Sequence, residues 1–254
     1  MTEKTITKNE DGRRLDSVLR KVLKDASDGF IYKALRKKSI TLNGKKAEGS
    51  VRVREGDVVR FWFTDETVRQ LSGESSSSGP APEAVPALEI LYEDEDVLLF
   101  VKPVGLLSQK AVSSDVSAND WVLCHAKEKG LISGSPFETF QPSICNRLDR
   151  NTGGIMAAGM SLMGLRVLSE LFRDRTLSKK YYAIVLGEVS SQSILHGYLL
   201  KDASSNRVEI FDFPGPDRKE IRTGYQPVRY DSEIDLTLLK VKLFTGKTHQ
   251  IRAH

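Results

Sequence analysis

The chain has 254 residues, of which 39% are hydrophobic and 28% are charged, and its formal net charge at neutral pH is +4. No apolar run approaches the roughly 20 residues that a membrane-spanning helix needs, and the polar start of the chain does not resemble a secretory signal. The two cysteines, Cys124 and Cys145, are too few for a disulfide framework and predict partly buried thiols. Together these features predict a cytoplasmic protein that does not span a membrane.

Positive charge is concentrated at the start of the chain. Residues 1–64 contain 16 lysines and arginines against 9 aspartates and glutamates, a net charge of +7, so the remaining residues sum to −3. A basic segment of this kind is typical of proteins that bind phosphate groups. From charge alone, a solvated basic surface without a partner is an equal alternative.

The spacing of apolar residues in the basic segment predicts two helices followed by short strands. One apolar face of a first helix is formed by Leu15, Val18, Leu19, Val22 and Leu23. Ser27 or Asp28 is expected to cap a second helix. Asn43-Gly44 predicts a two-residue turn, and a strand is predicted at residues 58–63. A small fold with basic residues along one helix and a turn suits binding to folded RNA.

Residues 65–87 are rich in serine, glycine, proline and glutamate. Such a composition cannot bury a core and predicts a flexible linker. We therefore expect a small basic RNA-binding module at residues 1–64, a linker at 65–87 and a larger domain at 88–254.

In the larger segment, strands outnumber helices. Two strands are predicted around an acidic turn, at residues 90–92 and 97–101, and a helix is predicted at 161–172 behind a serine cap. Further strands are expected at 181–189 and 236–244, where apolar and polar residues alternate. Few strand–helix–strand units are present, so the pattern predicts an α+β fold with a mixed, largely antiparallel sheet.

Three segments carry the polar groups that chemistry requires. In the first, Asp149 lies between Arg147 and Arg150 and precedes a Thr-Gly-Gly turn. Nearby positive charge favours the ionised carboxylate, and glycines allow another surface to approach the backbone closely. Taken alone, this segment is more typical of a salt-bridged loop than of an active site.

The second segment spans residues 179–187 and, alone, is typical of an edge strand with two aromatic residues. The third, residues 245–254, contains Gly246-Lys247-Thr248, but Val241 stands where a phosphate-binding loop requires glycine. A nucleotide hydrolase is therefore disfavoured. The histidines and cysteines have no recognised metal-ligand spacing, so no metal site is predicted.

The order of the three segments resembles the motifs of the RluA-type pseudouridine synthases. The first motif is carried by residues 147–154, and the second is matched by Lys179, Tyr181, Ala183, Val185 and Gly187. The third covers residues 245–254, with Lys247 in place of the usual arginine. The resemblance extends over nearly the whole chain, because family members commonly carry a basic module at the N-terminus.

That module resembles the small RNA-binding module first known from a ribosomal small-subunit protein. The matching stretches are residues 14–16, 34–38, 41–45 and 55–57. The resemblance implies that the RNA-contacting side chains of the module include Arg36, Lys37, Lys38 and Lys45.

The resemblance also implies the activity: isomerisation of specific uridines in structured RNA, above all large-subunit ribosomal RNA, without cofactor or metal. Asp149 matches the catalytic aspartate, Tyr181 the tyrosine that packs on the flipped base, and Arg252 the basic residue that pairs with the aspartate. Arg147 matches the arginine that holds the target nucleotide out of its stack, and Ile251 an apolar residue under the base. The family likeness further implies a monomeric bacterial enzyme.

The sequence departs from the family pattern in three places. Asn146 replaces the usual histidine and Gly153 the usual serine, for which we expect altered loop packing and retained activity. The chain also stops at His254, where family members continue, so either the sequence is truncated at its C-terminus or the fold closes differently. The alternative function is a non-catalytic RNA-binding protein derived from a synthase. The joint presence of Asp149, Tyr181 and Arg252 disfavours it.

Overall fold

The computed structural model describes residues 2–72, 85–132, 139–174, 176–202 and 207–254. The chain forms two compact units, Met1–Phe172 and Arg173–His254. Within the described residues there are six helices and three sheets, and every paired strand within these sheets is antiparallel. The predicted α+β class with a largely antiparallel sheet is confirmed.

The first unit begins with a small layer of helices on a three-stranded sheet. Its elements are β1 (Thr2–Thr5), α1 (Leu15–Val22), α2 (Asp28–Arg36), β2 (Ile40–Leu42), β3 (Val58–Phe61) and α3 (Asp65–Ser72), with strand order β1-β3-β2. The five apolar residues predicted for the first helix are all fully buried. Ser27 is the N-cap of α2 and accepts a hydrogen bond from the amide of Phe30, which confirms the predicted helix start.

The helix α3 occupies the first part of the segment predicted as a flexible linker. Val68 is 2% exposed, and Leu71 packs against the apolar core formed by α1, α2 and the three strands. The prediction of a linker is therefore wrong for 65–72, because two apolar residues spaced by three bury one side of a helix. Residues 73–84 lie outside the described part of the chain, and the linker remains a prediction there.

The rest of the first unit is a four-stranded sheet with two helices. Its elements are β4 (Glu89–Glu93), β5 (Val97–Lys102), α4 (Ala118–Glu128), β6 (Ser143–Ile144), β7 (Gly154–Gly159) and α5 (Leu162–Arg173), with strand order β4-β5-β7-β6. A second core forms where Phe100 and Met156 of the sheet pack with Trp121 and Val122 of α4. The sequence analysis missed α4, although Ser117 and Asp120 form a reciprocal capping box at its start.

Polar contacts attach the N-terminal layer to the remainder of the first unit. The amide of Leu162 donates to Oδ1 of Asn9 at 3.1 Å. Glu10, 2% exposed, pairs with Lys4 at 2.9 Å and accepts a short hydrogen bond from the hydroxyl of Thr139. Lys4 and Glu10 are buried, and Asn9, Thr139 and Leu162 are half-buried, so these hydrogen bonds hold the basic layer against the rest of this unit. The two units divide after Phe172, inside the segment that we predicted as the larger domain.

The second unit is a five-stranded antiparallel sheet followed by a short helix. Its elements are β8 (Lys179–Leu186), β9 (Ser193–Lys201), β10 (Val208–Phe211), β11 (Lys219–Asp231), β12 (Leu236–Leu243) and α6 (Gln250–Ala253), with strand order β10-β9-β11-β12-β8. The strands predicted at 181–189 and 236–244 correspond to β8 and β12. The long β11 was missed because it is polar and contains Pro227 at a register shift. No described helix is long and apolar enough to cross a bilayer.

Candidate active site

The first predicted motif forms the loop that joins β6 to β7. Leu148 and Asp149 are half-buried in this loop, whereas Arg147 and Arg150 are exposed. The loop ends at Gly154, which has a φ of +140° and pairs with Lys102 at the end of β5. Asp149 is therefore carried by a loop at one end of the four-stranded sheet, where β5 ends and β7 begins.

A buried lysine supports this loop from inside the unit. Lys102 is 0% exposed, and its ammonium donates to the carbonyl oxygens of Pro103 at 2.9 Å, Leu106 at 2.7 Å and Arg150 at 3.3 Å. Burial lowers the pKa of Lys102, and the negative charge of Asp149 acts in the opposite direction. The three carbonyl oxygens satisfy the ammonium, so a cation is held beneath the loop that carries Asp149.

Backbone hydrogen bonds hold the loop at further points. The hydroxyl of Ser108 donates to the carbonyl of Leu148 at 2.7 Å, and the amide of Leu148 donates back to the hydroxyl at 2.9 Å. The amide of Gly105, whose φ is +92°, donates to the carbonyl of Arg150 at 2.8 Å. The residues immediately before and after Asp149 are thus both tied to the segment that follows β5, which fixes the course of the loop.

The two departures from the family motif have defined contacts. Asn146 donates its amide to the carbonyl of Ile155 at 3.2 Å and accepts from the amide of Ala157 at 2.8 Å, so its side chain continues the pairing along β7. A Cβ atom added at Gly153 would lie 3.3 Å from Cγ2 of Val104. This approach is tight, so a side chain at position 153 would require the exposed side chain of Val104 to shift slightly.

Tyr181 lies on one face of the sheet in the second unit. It is half-buried on β8, opposite Val241 of β12, which in turn is opposite Tyr225 of β11. Residues opposite one another, and residues two apart in one strand, share a face of a sheet. Thr223, two residues before Tyr225, therefore lies on the same face as Tyr181.

The third motif is anchored to that same face through Gln250. Its side-chain amide donates to the hydroxyl of Thr223 at 3.0 Å and to the carbonyl of Arg222 at 3.1 Å. The side-chain oxygen of Gln250 accepts from the hydroxyl of Thr245 at 2.9 Å. The structure thus brings α6, with half-buried Ile251 and exposed Arg252, to the face of the sheet that carries Tyr181.

His254 also contacts this face. Its Nδ1 lies 2.7 Å from the hydroxyl of Thr223, and burial lowers the pKa of the imidazole. The ring is therefore held neutral more readily than a solvated histidine. Gln250 and His254 were not named among the expected site residues, although both belong to the third motif.

The predicted site residues are distributed over the two units. Arg147 and Asp149 lie in the first unit, on the loop supported by Lys102. Tyr181, Ile251 and Arg252 lie in the second unit.

The basic residues expected to contact RNA are all on the surface of the N-terminal layer. Their side chains are exposed, and none makes an ion pair within the part of the chain that the structure describes: Arg36, Lys37, Lys38 and Lys45. The predicted turn before Lys45 is confirmed, because Asn43 and Gly44 have φ values of +51° and +73°.

Residues 96–254 match the family described as RNA pseudouridylate synthase. The chain belongs to this family. The ribosomal large subunit pseudouridine synthase C of Escherichia coli is 31% identical over 257 residues, which cover 98% of this chain and 74% of the relative. The uncharacterised RNA pseudouridine synthase MG370 of Mycoplasma genitalium is 27% identical over 249 residues, covering 98% and 76%.

Two solved human structures share the pseudouridine synthase fold of this chain. RNA Pseudouridylate Synthase Domain Containing 4 is 22% identical, with a TM-score of 0.52, and the match covers 65% of this chain and 62% of that one. RNA Pseudouridylate Synthase Domain Containing 1 is 19% identical, with a TM-score of 0.51, and the match covers 66% and 64%. At these identities the likeness concerns the fold. The family match and the named relatives confirm the predicted enzyme class, a pseudouridine synthase.

A further residue that sequence reasoning missed in this synthase is Lys102. It stands directly after the strand predicted at 97–101, and no role was predicted for it. A lysine at a position that alternation assigns to the buried face of β5 was the available signal, since a buried ammonium requires several acceptors.

Proposed function

We propose that this pseudouridine synthase isomerises uridines of structured ribosomal RNA, with Asp149 as the catalytic carboxylate. The observation that carries the proposal is the buried Lys102, whose ammonium holds the carbonyl of Arg150 and lies within the electrostatic influence of Asp149. The large-subunit ribosomal synthase named among the relatives supports the choice of RNA. A reactive carboxylate must be positioned before substrate arrives, and this loop meets that requirement.

The reaction is balanced without any co-reactant. The bond from N1 of uracil to C1′ of ribose breaks, the base rotates, and a bond from C5 to C1′ forms. The proton leaves C5 and N1 gains one, so the product is an isomer of the substrate. In our proposal Asp149 acts toward the sugar, as nucleophile or as base, while the RNA chain stays intact. A fixed carboxylate lowers the entropic cost of the first step.

The base must leave its stack before a carboxylate can reach its ribose. We assign Arg147, exposed beside Asp149, to holding the nucleotide out of the helix. Tyr181 is assigned to packing on the flipped uracil and to assisting proton removal at C5. Ile251 is assigned to contact with the base, and Arg252 is assigned the role of the basic residue that the family resemblance gives it. The common face of Tyr181 and α6 supports this grouping.

The N-terminal layer is proposed to be the RNA anchor. The unpaired cations of Arg36, Lys37, Lys38 and Lys45 attract phosphates, and the turn at Asn43-Gly44 presents Lys45. Binding of this kind depends on charge and shape more than on sequence. The protein acts in the cytoplasm in this proposal, where ribosomal RNA is made in bacteria.

The decisive test is Asp149→Asn, which removes the carboxylate and keeps its size. Pseudouridine formation on large-subunit ribosomal RNA that lacks the modification should be abolished, while the Kd for RNA changes less than about threefold, because a carboxylate does not attract the phosphates that dominate affinity for RNA. The matched control is Asp25→Asn, the same chemical change at an exposed carboxylate, which should retain full activity. Pseudouridine formation by Asp149→Asn would contradict the proposal, and RNA binding by wild type without any product would support the non-catalytic alternative.

A second prediction concerns the RNA anchor. Arg36→Glu with Lys37→Glu should weaken RNA binding and lower the slope of log Kd against log salt by about 1–2, because each phosphate contact contributes roughly 0.7–0.9 to that slope. The control is Lys127→Glu with Lys219→Glu, an equal charge change at two exposed positions elsewhere. Salt slopes measured by fluorescence anisotropy that change equally in both variants would show that overall charge, and not this surface, governs binding.

A further inference from the structure

The second unit contains a groove on the face of its sheet opposite to Tyr181. Lys180 precedes Tyr181 in β8, so their side chains project from opposite faces. Lys180 is opposite Lys242 of β12, Lys242 is opposite Gly224 of β11, and Gly224 is opposite Ile194 of β9. These four residues form a row that crosses four strands on one face.

Gly224 forms the floor of this groove because it has no side chain. A Cβ atom at this position would lie 3.0 Å from the ring of Phe244 and 3.8 Å from Ile194, which border the groove on two sides. The cavity has a volume of about 480 Å³. This volume suits a group of nucleotide size, since small-molecule sites begin at about 300 Å³.

One wall of the groove is formed by lysines. Lys180 and Lys242 are directly opposite one another. Lys240 lies two residues before Lys242 in β12 and so on the same face of the sheet. Like charges placed opposite on adjacent strands destabilise a sheet. None of the three makes an ion pair with any described residue. This wall therefore presents positive charge that the described chain does not neutralise.

The end of the groove is aromatic. Phe244 is half-buried, with Nζ of Lys242 at 5.0 Å and Cζ of Arg222 at 5.4 Å from its ring centroid. An aromatic ring flanked by cations is the arrangement with which proteins bind single-stranded nucleic acids, because bases stack on the ring and phosphates contact the cations. An acidic peptide would use the lysines and leave the ring without a stacking partner.

We propose that this groove binds a single-stranded stretch of the RNA substrate, away from the uridine that is modified. Phosphates contact Lys180, Lys240 and Lys242, and a base stacks against Phe244. The inference rests on the proposed function for the identity of the RNA. Because the groove lies on the face opposite to Tyr181, it contributes to affinity for RNA and not to the chemical step.

The test is Lys180→Glu with Lys242→Glu, compared with the equal charge change Lys127→Glu with Lys219→Glu. Binding is measured with a single-stranded oligonucleotide that contains no uridine, so that the result does not depend on isomerisation. We expect the groove variant to bind about tenfold more weakly than the control variant, with a salt slope about 1.4 lower, the value for two single-strand phosphate contacts. Equal melting temperatures of both variants establish that folding is unaffected.

Equal binding of the oligonucleotide by the two variants would overturn the inference. It would also be overturned if polyglutamate displaced the oligonucleotide as well as RNA of the same charge does. The proposed function can fail separately. If wild type forms no pseudouridine but the groove variant loses oligonucleotide binding, RNA binding by the groove is supported and the proposed function is refuted. If wild type is active and the groove variant binds like the control, the proposed function is supported and RNA binding by the groove is refuted.

Discussion

The two compact units of the chain differ in how they bury apolar surface. The first unit contains two apolar cores, in which Leu98 and Phe100 are completely buried. In the described part of the second unit, four apolar residues of the sheet are buried, Leu199, Ile221, Leu239 and Val241, whereas Tyr182, Ile184 and Leu186 of β8 are 70%, 69% and 85% exposed. The first unit therefore buries more apolar surface among its described residues, and one face of β8 in the second unit stays exposed.

This difference bears on the proposed catalytic groups. Asp149 is carried by a loop whose supports, Lys102 and Ser108, are buried in the well-packed unit. Tyr181 and Arg252 belong to the unit with the more exposed sheet. We conclude that the backbone course of the loop that carries Asp149 is set within the first unit.

Lys102→Met tests whether the first unit positions the loop that carries Asp149, and it should have the largest effect on activity. It removes a buried ammonium and leaves three carbonyl oxygens without their donor, which should cost about 3 kcal/mol in the free energy of unfolding. A displaced Asp149 should lower the rate of pseudouridine formation about 100-fold. The control is Lys110→Met, whose partly exposed pair with Asp120 should contribute less than about 1 kcal/mol. A free energy of unfolding and a single-turnover rate of Lys102→Met that both match wild type would refute the assigned role of Lys102.

Two alanine substitutions compare the packing of the units directly. Leu98→Ala in the first unit should lower the free energy of unfolding by about 2–5 kcal/mol, because it leaves a cavity in a closed core. Ile184→Ala in the second unit should lower it by less than about 0.5 kcal/mol, as expected for an exposed side chain. Urea denaturation measures both. A loss at Ile184 as large as that at Leu98 would mean that β8 is covered in solution.

A smaller effect than that of Leu98→Ala is expected for the pH dependence due to Asp16 in the first unit. Hydrogen bonds from Arg14, and then from Tyr32, lower the pKa of Asp16 from 3.8 to about 2. Since the pKa is lower in the folded state, the stabilisation is fully present above pH 3.8 and is lost as the pH falls through about 2. It should amount to about 1–2 kcal/mol, because Arg14 is exposed and screened by solvent.

The measurement for Asp16 is the free energy of unfolding of wild type minus that of Asp16→Asn, followed from neutral pH downward. This difference should shrink as the medium becomes acidic. The same subtraction with Asp25→Asn, at an exposed carboxylate, should show no comparable change. A difference for Asp16 that does not depend on pH would show that its hydrogen bonds do not favour the ionised form.

The sequence predicted best those elements whose apolar spacing matches their packing. The buried face of α1 and the alternation in β12 were both predicted, because the buried residues recur with the spacing of a helix in α1 and of a strand in β12. The helix α3 was missed because its two core residues stand beside a Ser-rich stretch, and β11 because a polar strand stabilised by two neighbouring strands has little apolar signal of its own. Both elements are stabilised by contacts with residues distant in sequence, which a local pattern does not contain.

The chemistry-bearing residues were found in sequence only through their joint order in three motifs. Asp149 alone has the pattern of a salt-bridged loop, and its support by Lys102 joins positions 48 residues apart through the carbonyl of Arg150. No local pattern contains that information. The same holds for Gln250, whose contacts to β11 reach back 27 and 28 residues. Pairings of this kind arise only from the fold.

The contact between Gly153 and Val104 has a consequence for substitution at this point of the loop. A Cβ atom at position 153 would meet a methyl group of Val104 at 3.3 Å and the carbonyl oxygen of Lys102 at 3.4 Å. The Val104 side chain is 66% exposed, so its methyl group has room to move by a few tenths of an ångström. A serine at 153 should therefore be accommodated by a small displacement of one exposed side chain, and the loop that carries Asp149 should keep its course.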